Sequence, residues 1–332
     1  MKTSSTSFYI LTRIFHFIIF MVILSIIVFV LARLSPGDPL FAYYGDALDR
    51  MSTEQKANAI SRLALDRPMI EQYFSWLSNA LHGDFGLSYI YKQPATGVIS
   101  KLWVNTILLG GISYILTFFL ATLIGLYCAG KEGKIIDTVI CKIGTVTSLI
   151  PTFFVALICI LIFSVNLGIL PSSGAYSIGM KDDILDRIVH LILPVFVMTF
   201  SHVWYYSYII RNKVIDEMRK DYVSLLRIKG LSKNKILYKH CFKNILPALI
   251  TIMSISIPHI IAGTYIAELV FGYPGLGTLA FESARYKDYN MLSVITLITG
   301  AVVIASGIIG QEVSAAIDPQ MRHEKNYEKK EA

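Results

Sequence analysis

Six stretches run without a single charged side chain, at 14–32, 107–129, 143–165, 188–210, 245–267 and 291–311. Each reaches the roughly 20 residues that a helix needs to span hydrocarbon. The pattern predicts six transmembrane helices, the first of them retained, because 14–32 is too long for a signal peptide and lacks a small-residue cleavage site. Pro151 and Pro194 fall inside the third and fourth stretches and are expected to kink them, either for packing or as hinges.

The polar stretches carry helical patterns of their own. After the first span, Ser35-Pro-Gly-Asp-Pro39 breaks the helix, since proline and glycine continue one only at a cost. The segment 35–101 then holds six basic and seven acidic residues. Within it, 51–65 reads as a helix with Ser52 at its N-cap and Glu54 and Gln55 in its first turn, stopped by Pro68. A second helix over 70–81 places Ile70, Tyr73, Phe74 and Leu77 on one face, and His82-Gly-Asp-Phe-Gly86 turns the chain. This segment is read either as a folded cap on the membrane surface or as a docking surface for an external protein. Between spans five and six, Gly272, Pro274, Gly275 and Gly277 force a tight turn, and a short helix starts at Leu279. Such backbone serves a partner contact or an external gate.

The polar interruption at 211–243 is basic and helical. Gly230 divides it. Before the glycine, Tyr222, Leu225 and Leu226 repeat at i, i+3, i+4. After it, Ser232 caps a second helix with Ile236, Leu237, His240 and Cys241 on its apolar face. A short helix with an apolar stripe outside the membrane must cover that stripe. Lipid headgroups and a groove on another protein are both open.

Composition agrees with the spans. The chain of 332 residues is 54% hydrophobic and 16% charged, against about 25% charged for soluble domains. Its net charge of +7 collects in particular loops. The stretch 211–243 holds ten Lys/Arg against three acids. Lys131, Lys134 and Lys142 lie in the second-to-third connection, and Arg322, Lys325, Lys329 and Lys330 in the tail. The alternate loops are poorer in basic residues, so both termini are expected in the cytoplasm. That distribution fits membrane topology rather than nucleic-acid binding. Four cysteines, Cys128, Cys141, Cys159 and Cys241, have no metal-site spacing and are read as unpaired.

Several chemistries are disfavoured. Gly130-Lys-Glu-Gly-Lys134 is not a phosphate-binding loop, because its spacing fails and no strand precedes it. The chain contains no G-x-x-x-x-G-K-[ST], H-E-x-x-H or G-x-S-x-G sequence. The span middles hold almost no carboxylates, which argues against a proton-coupled carrier. His16, His190, His202 and His259 are read first as packing or interfacial residues. His202 with Trp204, Tyr205 and Tyr206 is the one local cluster that also suits a pathway.

The stretch from Asp221 to Pro247, DYVSLLRIKGLSKNKILYKHCFKNILP, resembles the cytoplasmic loop of ABC-transporter permeases of the binding-protein-dependent peptide/nickel import family. Similar pieces follow in order along nearly the whole chain: Leu34-Ser-Pro-Gly-Asp-Pro39, Leu65-Asp-Arg-Pro68, Gly83-Asp-Phe-Gly-Leu-Ser88, Phe271-Gly-Tyr-Pro-Gly-Leu-Gly277, and Asp318-Pro319 with Arg322. The resemblance implies an all-α, six-span permease of the type I ABC importer fold in the bacterial plasma (inner) membrane. It would consist of an N-terminal helix with an external segment (1–103), a permease core (104–317) and a charged cytoplasmic tail (318–332).

The function implied is membrane passage of di- or oligopeptides, with nickel or a metal chelate as the alternative cargo. The resemblance further implies a second homologous permease, two ATPase subunits that carry ATP and Mg, and an external substrate-binding protein. No cofactor or metal is expected in this chain. Carried over, Tyr222, Leu225, Leu226, Lys229, Gly230 and Leu231 would form the ATPase contact and its break, while His240, Asn244 and Pro247 fix the return into span five. Candidates for the path or gate are His202, Trp204, His259, Glu268, Pro274, Gly275 and Gly277. Ser224-Leu225-Leu226 stands where many ABC permeases have Glu-Ala-Ala, a variant usual in the peptide/nickel branch.

Overall fold

The computed structural model describes residues 3–34, 39–62, 65–147 and 149–317. These residues are helical and joined by turns, with one isolated bridge between Leu87 and Pro94. In chain order the helices are α1 (Thr3–Leu34), α2 (Pro39–Tyr44), α3 (Thr53–Arg62), α4 (Met69–Leu81), α5 (Ala95–Gly130), α6 (Ile135–Thr147), α7 (Thr152–Cys159), α8 (Ile184–Met218), α9 (Asp221–Ile228), α10 (Lys233–Lys235), α11 (Phe242–Val270), α12 (Leu276–Arg285) and α13 (Tyr289–Ile317). Two π-helical segments, Ile160–Asn166 and Ile236–Cys241, continue α7 and join α10 to α11. The motif around 35–38 and the tail from Asp318 onward, with Arg322, lie outside the described residues.

Among the described residues, five helices are long and apolar enough to cross a membrane, and a sixth crossing exists if α6 and the α7 segment count as one. The third span, expected over 143–165 with a kink at Pro151, is a pair of helices, Ile135–Thr147 and Thr152–Asn166, bent by 99°. Proline supplies the reason. Pro151 has no N–H to donate and disfavours helix in the residue before it, so it stands as the N-cap that begins α7. Pro194 behaves differently, and α8 runs through it without interruption.

The residues cluster into two units: Met1–Val104 with Pro274–Ala305, and Asn105–Tyr273 with Ser306–Ala332. In the first, α1 exposes apolar side chains on all sides, among them Phe15, Ile18, Ile23, Ile27 and Leu31. A helix hydrophobic all round suits lipid. At α3, Gln55 N–H donates to Ser52 Oγ (3.2 Å) and Ser52 N–H donates to Gln55 Oε1 (2.9 Å), a reciprocal capping box. Ala95, Val98 and Ile99 of α5 pack with Leu279 of α12 and with Met291, Val294 and Ile295 of α13. The fully buried carboxylate of Asp288 fastens the Gly83–Ser88 turn to this core. It accepts from the Ser88 hydroxyl, from Ile90 N–H (3.1 Å) and from Met291 N–H (3.3 Å).

The second unit holds two cores. One joins Phe118 and Ala121 of α5 to Val203, Tyr206, Ile210 and Val214 of α8 and to Ile236, Leu237 and Cys241 of the π-helical segment. The other gathers Leu109, Leu193, Val197, Met198, Ile260, Phe271 and Tyr273. Small residues permit close helix approach, as in membrane bundles generally. A Cβ on Gly125 would stand 2.9 Å from the Ser207 carbonyl oxygen. All four cysteines are unpaired.

Orientation is testable at two exposed asparagines, Asn58 on α3 and Asn234 on α10. A cysteine at 58 is expected to react with an impermeant maleimide added to intact cells. One at 234 is expected to react only after permeabilisation. The opposite pattern would invert the topology.

Candidate functional site

The basic stretch becomes a helical bracket on the end of α8. After Met218 the chain turns at Arg219 and Lys220, forms α9, and turns again at Gly230. Gly230 has φ +79° and its N–H donates to Arg227 O (2.9 Å), while Leu231 N–H donates to Leu226 O (3.2 Å). Only glycine adopts this left-handed conformation cheaply, so the break falls where the sequence placed it. Ser232 Oγ then accepts from Lys235 N–H (3.4 Å) and opens the next helix. In the π-helical segment Ile236, Leu237 and Cys241 are all buried. Such segments recur at functional positions. Each large side chain buried there contributes roughly 1.5–3 kcal/mol.

The structure divides the apolar stripe of α9. Val223 is buried, and Tyr222 and Leu226 pack against the same core, as does Leu231 beyond the turn. Leu225 and Ile228 point away, 60% and 82% exposed. Arg227, Lys229, Lys233 and Lys235 are exposed around them. The face offered outward is thus an apolar pair at i, i+3 with a basic surround. Ile228 did not stand out in the sequence, because a face open to a partner and a face turned to the chain's own core share one helical period.

The inner side of the bracket is fixed by a buried carboxylate that the sequence did not single out. Glu217 Oε1 accepts from the Tyr222 hydroxyl (2.8 Å) and from Asn244 Nδ2 (3.0 Å), and its Oε2 pairs with Lys220 Nζ (2.7 Å). One side chain therefore ties the end of α8 to α9 and to the first turn of α11. Burial, with Cys241 and Glu217 beside the ring, pushes the Tyr222 phenol far above its ordinary range, so it remains a proton donor at neutral pH. His240 is half-buried one turn before Asn244. The carbonyl of buried Pro247 accepts from Ser314 Oγ (3.0 Å) and Thr251 Oγ1 (3.0 Å), which links α11 to α13.

The loop between α5 and α6, dismissed above as a phosphate-binding loop, docks on the same bracket. Asp137, in the first turn of α6, takes both Nε (3.0 Å) and Nη2 (2.6 Å) of Arg211 and also accepts from Gly133 N–H (3.1 Å). Arg219 Nη2 pairs with Glu132 Oε1 (2.7 Å), and Lys233 Nζ donates to Gly130 O (2.8 Å). Three of the ten basic residues thus hold the chain's own loop as well as setting orientation.

The path and gate candidates lie on α8 and α11 of one unit and around the start of α12 in the other. His202 and Trp204 lie on α8, His259 and Glu268 on α11. His202 hydrogen-bonds through Nδ1 to Met198 O (2.8 Å), and its ring packs on Gly263. Trp204 is half-buried beside Phe200, His259 is exposed, and Glu268 is fully buried and accepts from Thr106 Oγ1 (2.7 Å). Near that outer end Arg187 Nη2 donates to Asn105 Oδ1 (2.9 Å), and burial raises the Tyr273 phenol to about 12. Pro274, Gly275 and Gly277 belong to the other unit. There Gly275 is the N-cap of α12, its N–H donating to Thr278 Oγ1 (3.1 Å). Among the described residues no group of three or more His, Cys, Asp or Glu converges as a metal site.

Comparison with known proteins adds the following. Residues 121–323 match the family model described as binding-protein-dependent transport system inner membrane component. Residues 7–110 match the corresponding N-terminal model. The oligopeptide transport system permease protein AppB of Bacillus subtilis is 33% identical over 90% of this chain and 94% of its own length. A putative peptide transport system permease protein of Brucella abortus is 28% identical over 95% of this chain and 99% of its own. Among solved structures, an inward-facing form of the MetNI methionine ABC transporter matches with a TM-score of 0.55 and 15% identity, over 67% of this chain and 97% of the matched one.

Proposed function

The chain belongs to the family of binding-protein-dependent transport system inner membrane components, and from that premise we propose that it forms the passage for di- or oligopeptides and is driven through α9 by a separate ATPase. As a member of that family it is a multi-pass permease of the bacterial inner membrane and not an enzyme. Family membership also implies an ATPase and a substrate-binding protein as partners. We assign ATP and Mg to two ATPase subunits, and half of the passage to a second, homologous permease.

One observation carries the coupling role: α9 presents Leu225 and Ile228 outward while Glu217, Tyr222 and Asn244 lock its inner side to α8 and α11. An amphipathic helix of this kind fits a groove. A helix fastened at both ends moves its neighbours when it is displaced. Leu231 and Lys229 flank the break at Gly230, and His240 and Pro247 sit on the return. We assign His202, Trp204, His259, Glu268, Pro274, Gly275 and Gly277 to the path or its external gate. The peptide cargo rests on the names of the relatives, in two distant organisms, and is tested directly. In a strain lacking this gene, uptake of labelled dipeptide should fall and be restored by the gene, with nickel uptake unaffected. Loss of nickel uptake alone would overturn the peptide reading. Purified by itself, the chain should show no ATP hydrolysis.

A further inference from the structure

The helix α4 carries an apolar arc wider than its packing uses. Along Met69–Leu81, Ile70, Phe74, Leu77 and Leu81 recur at i, i+4, i+7 and i+11, and Tyr73, Trp76 and Ala80 adjoin them on one side. Glu71, Ser75 and Ser78 lie opposite, and Glu71 is the only charged residue in the helix. At 3.6 residues per turn these positions form one continuous apolar half and one polar half.

The structure uses only part of that half. Tyr73 and Trp76 pack on Phe29 of α1, with ring centroids 5.4 Å and 5.7 Å apart, and the Tyr73 hydroxyl hydrogen-bonds Ser25 Oγ at 2.9 Å. Beside this contact Ile70, Phe74 and Leu81 remain 71%, 62% and 79% exposed, and no residue of α4 is buried. The surface that these three continue is α1, whose Ile23, Ile26, Ile27 and Leu31 are also exposed. In a multi-pass membrane protein, that surface faces acyl chains.

Depth follows from the same contact. Arg33, with its guanidinium 5.3 Å from the Phe29 ring, marks the polar end of α1. Ser25 lies eight residues deeper, about 12 Å at 1.5 Å per residue. A tyrosine that reaches Ser25 draws the backbone of α4 below the level of Arg33, the position of an interfacial helix whose apolar face sits about 5–10 Å into the headgroup and acyl boundary.

We propose that α4 lies in the outer leaflet of the bilayer, with Ile70, Phe74 and Leu81 inserted among lipid acyl chains and Glu71, Ser75 and Ser78 facing headgroups and water. The occupant of the open stripe is lipid, continuous with the lipid on α1. The external segment is thereby anchored in the membrane plane, not held above it in water.

The test uses the full chain, reconstituted in phosphatidylcholine/phosphatidylglycerol vesicles, with nitroxide labels at single introduced cysteines. I70C, F74C, S75C and S78C are compared with I26C on α1, and the unmutated chain supplies the background of the four native cysteines. For each label, collision with oxygen is compared with collision with a water-soluble nickel chelate. Labels at 70 and 74 should show an oxygen-to-nickel ratio several-fold above those at 75 and 78 and close to that at 26. Equal, nickel-accessible labels at all four positions would mean that α4 lies in water. Labels at 70 and 74 shielded from both reagents would mean that a protein surface or a second copy covers the stripe. Either result overturns the proposal, and neither bears on the coupling role of α9.

Discussion

Leu225→Asp and Ile228→Asp are each expected to abolish peptide uptake while leaving the chain in the membrane at its normal level. Both side chains are exposed, and neither takes part in the core beneath α9. A carboxylate there leaves the fold intact but cannot be buried in an apolar groove without a partner. Interface anchors of this size are worth about 2 kcal/mol or more each, so one substitution weakens docking of the ATPase by about thirtyfold. Leu226→Asp is the contrasting case. Leu226 packs on the core formed by Val223, Ile236, Leu237 and Cys241, so its loss should lower the amount of folded chain along with uptake. The measurement is uptake of labelled dipeptide normalised to chain content, together with recovery of the ATPase when the permease is extracted in mild detergent. Normal uptake in both the 225 and 228 variants would remove α9 from the coupling route.

The difference between Leu225 and Leu226 also shows what a sequence can and cannot disclose. The helix over 221–228, the break at Gly230 and the cap at Ser232 were legible because each depends on local chemistry: a 3.6-residue period, a positive φ, a hydroxyl accepting from a nearby N–H. Ser52 with Gln55 was legible for the same reason. The sides of the stripe were not, because an apolar residue covered by its own chain and one awaiting a partner are chemically the same. Glu217 escaped notice because its partners are dispersed, Lys220 in the turn after α8, Tyr222 on α9 and Asn244 on α11 beyond the break at Gly230. The third span shows another limit. A proline within an apolar run is compatible with a kink or with a full break, and the connection ahead of Pro151 takes the break. The path candidates came from separate local signals, the cluster at His202 and Trp204 and the turn at Pro274, Gly275 and Gly277. They fall on α8 and α11 of one unit and around the start of α12 in the other, so nothing local in the sequence could have related them.

Removal of the Asp137 carboxylate is expected to produce the largest loss of stability in the second unit. Its side chain is 3% exposed and grips Arg211 with two hydrogen bonds across 74 residues of sequence. Asp137 also lies in the first turn of α6, where a negative charge is favoured by the helix dipole. Replacing one member of such a pair leaves the other charge buried without its partner, which costs about 3–5 kcal/mol. Asp137→Ala and Arg211→Ala should therefore each destabilise the chain by about 3 kcal/mol, whereas Asp137→Leu with Arg211→Met should recover much of the loss. Unfolding by graded SDS in mixed micelles measures the four corners of this cycle. A second readout separates local from global effects. Gly133 N–H donates to the same carboxylate, so Asp137→Ala should release the 130–134 loop and speed tryptic cleavage at Lys131 and Lys134 in inside-out vesicles. Additive single and double variants, with cleavage unchanged, would show that the pair adds nothing to the join between this loop and α8. A non-additive cycle with faster cleavage would make the Asp137–Arg211 pair the clamp by which motion at α9 and the end of α8 is carried into α6.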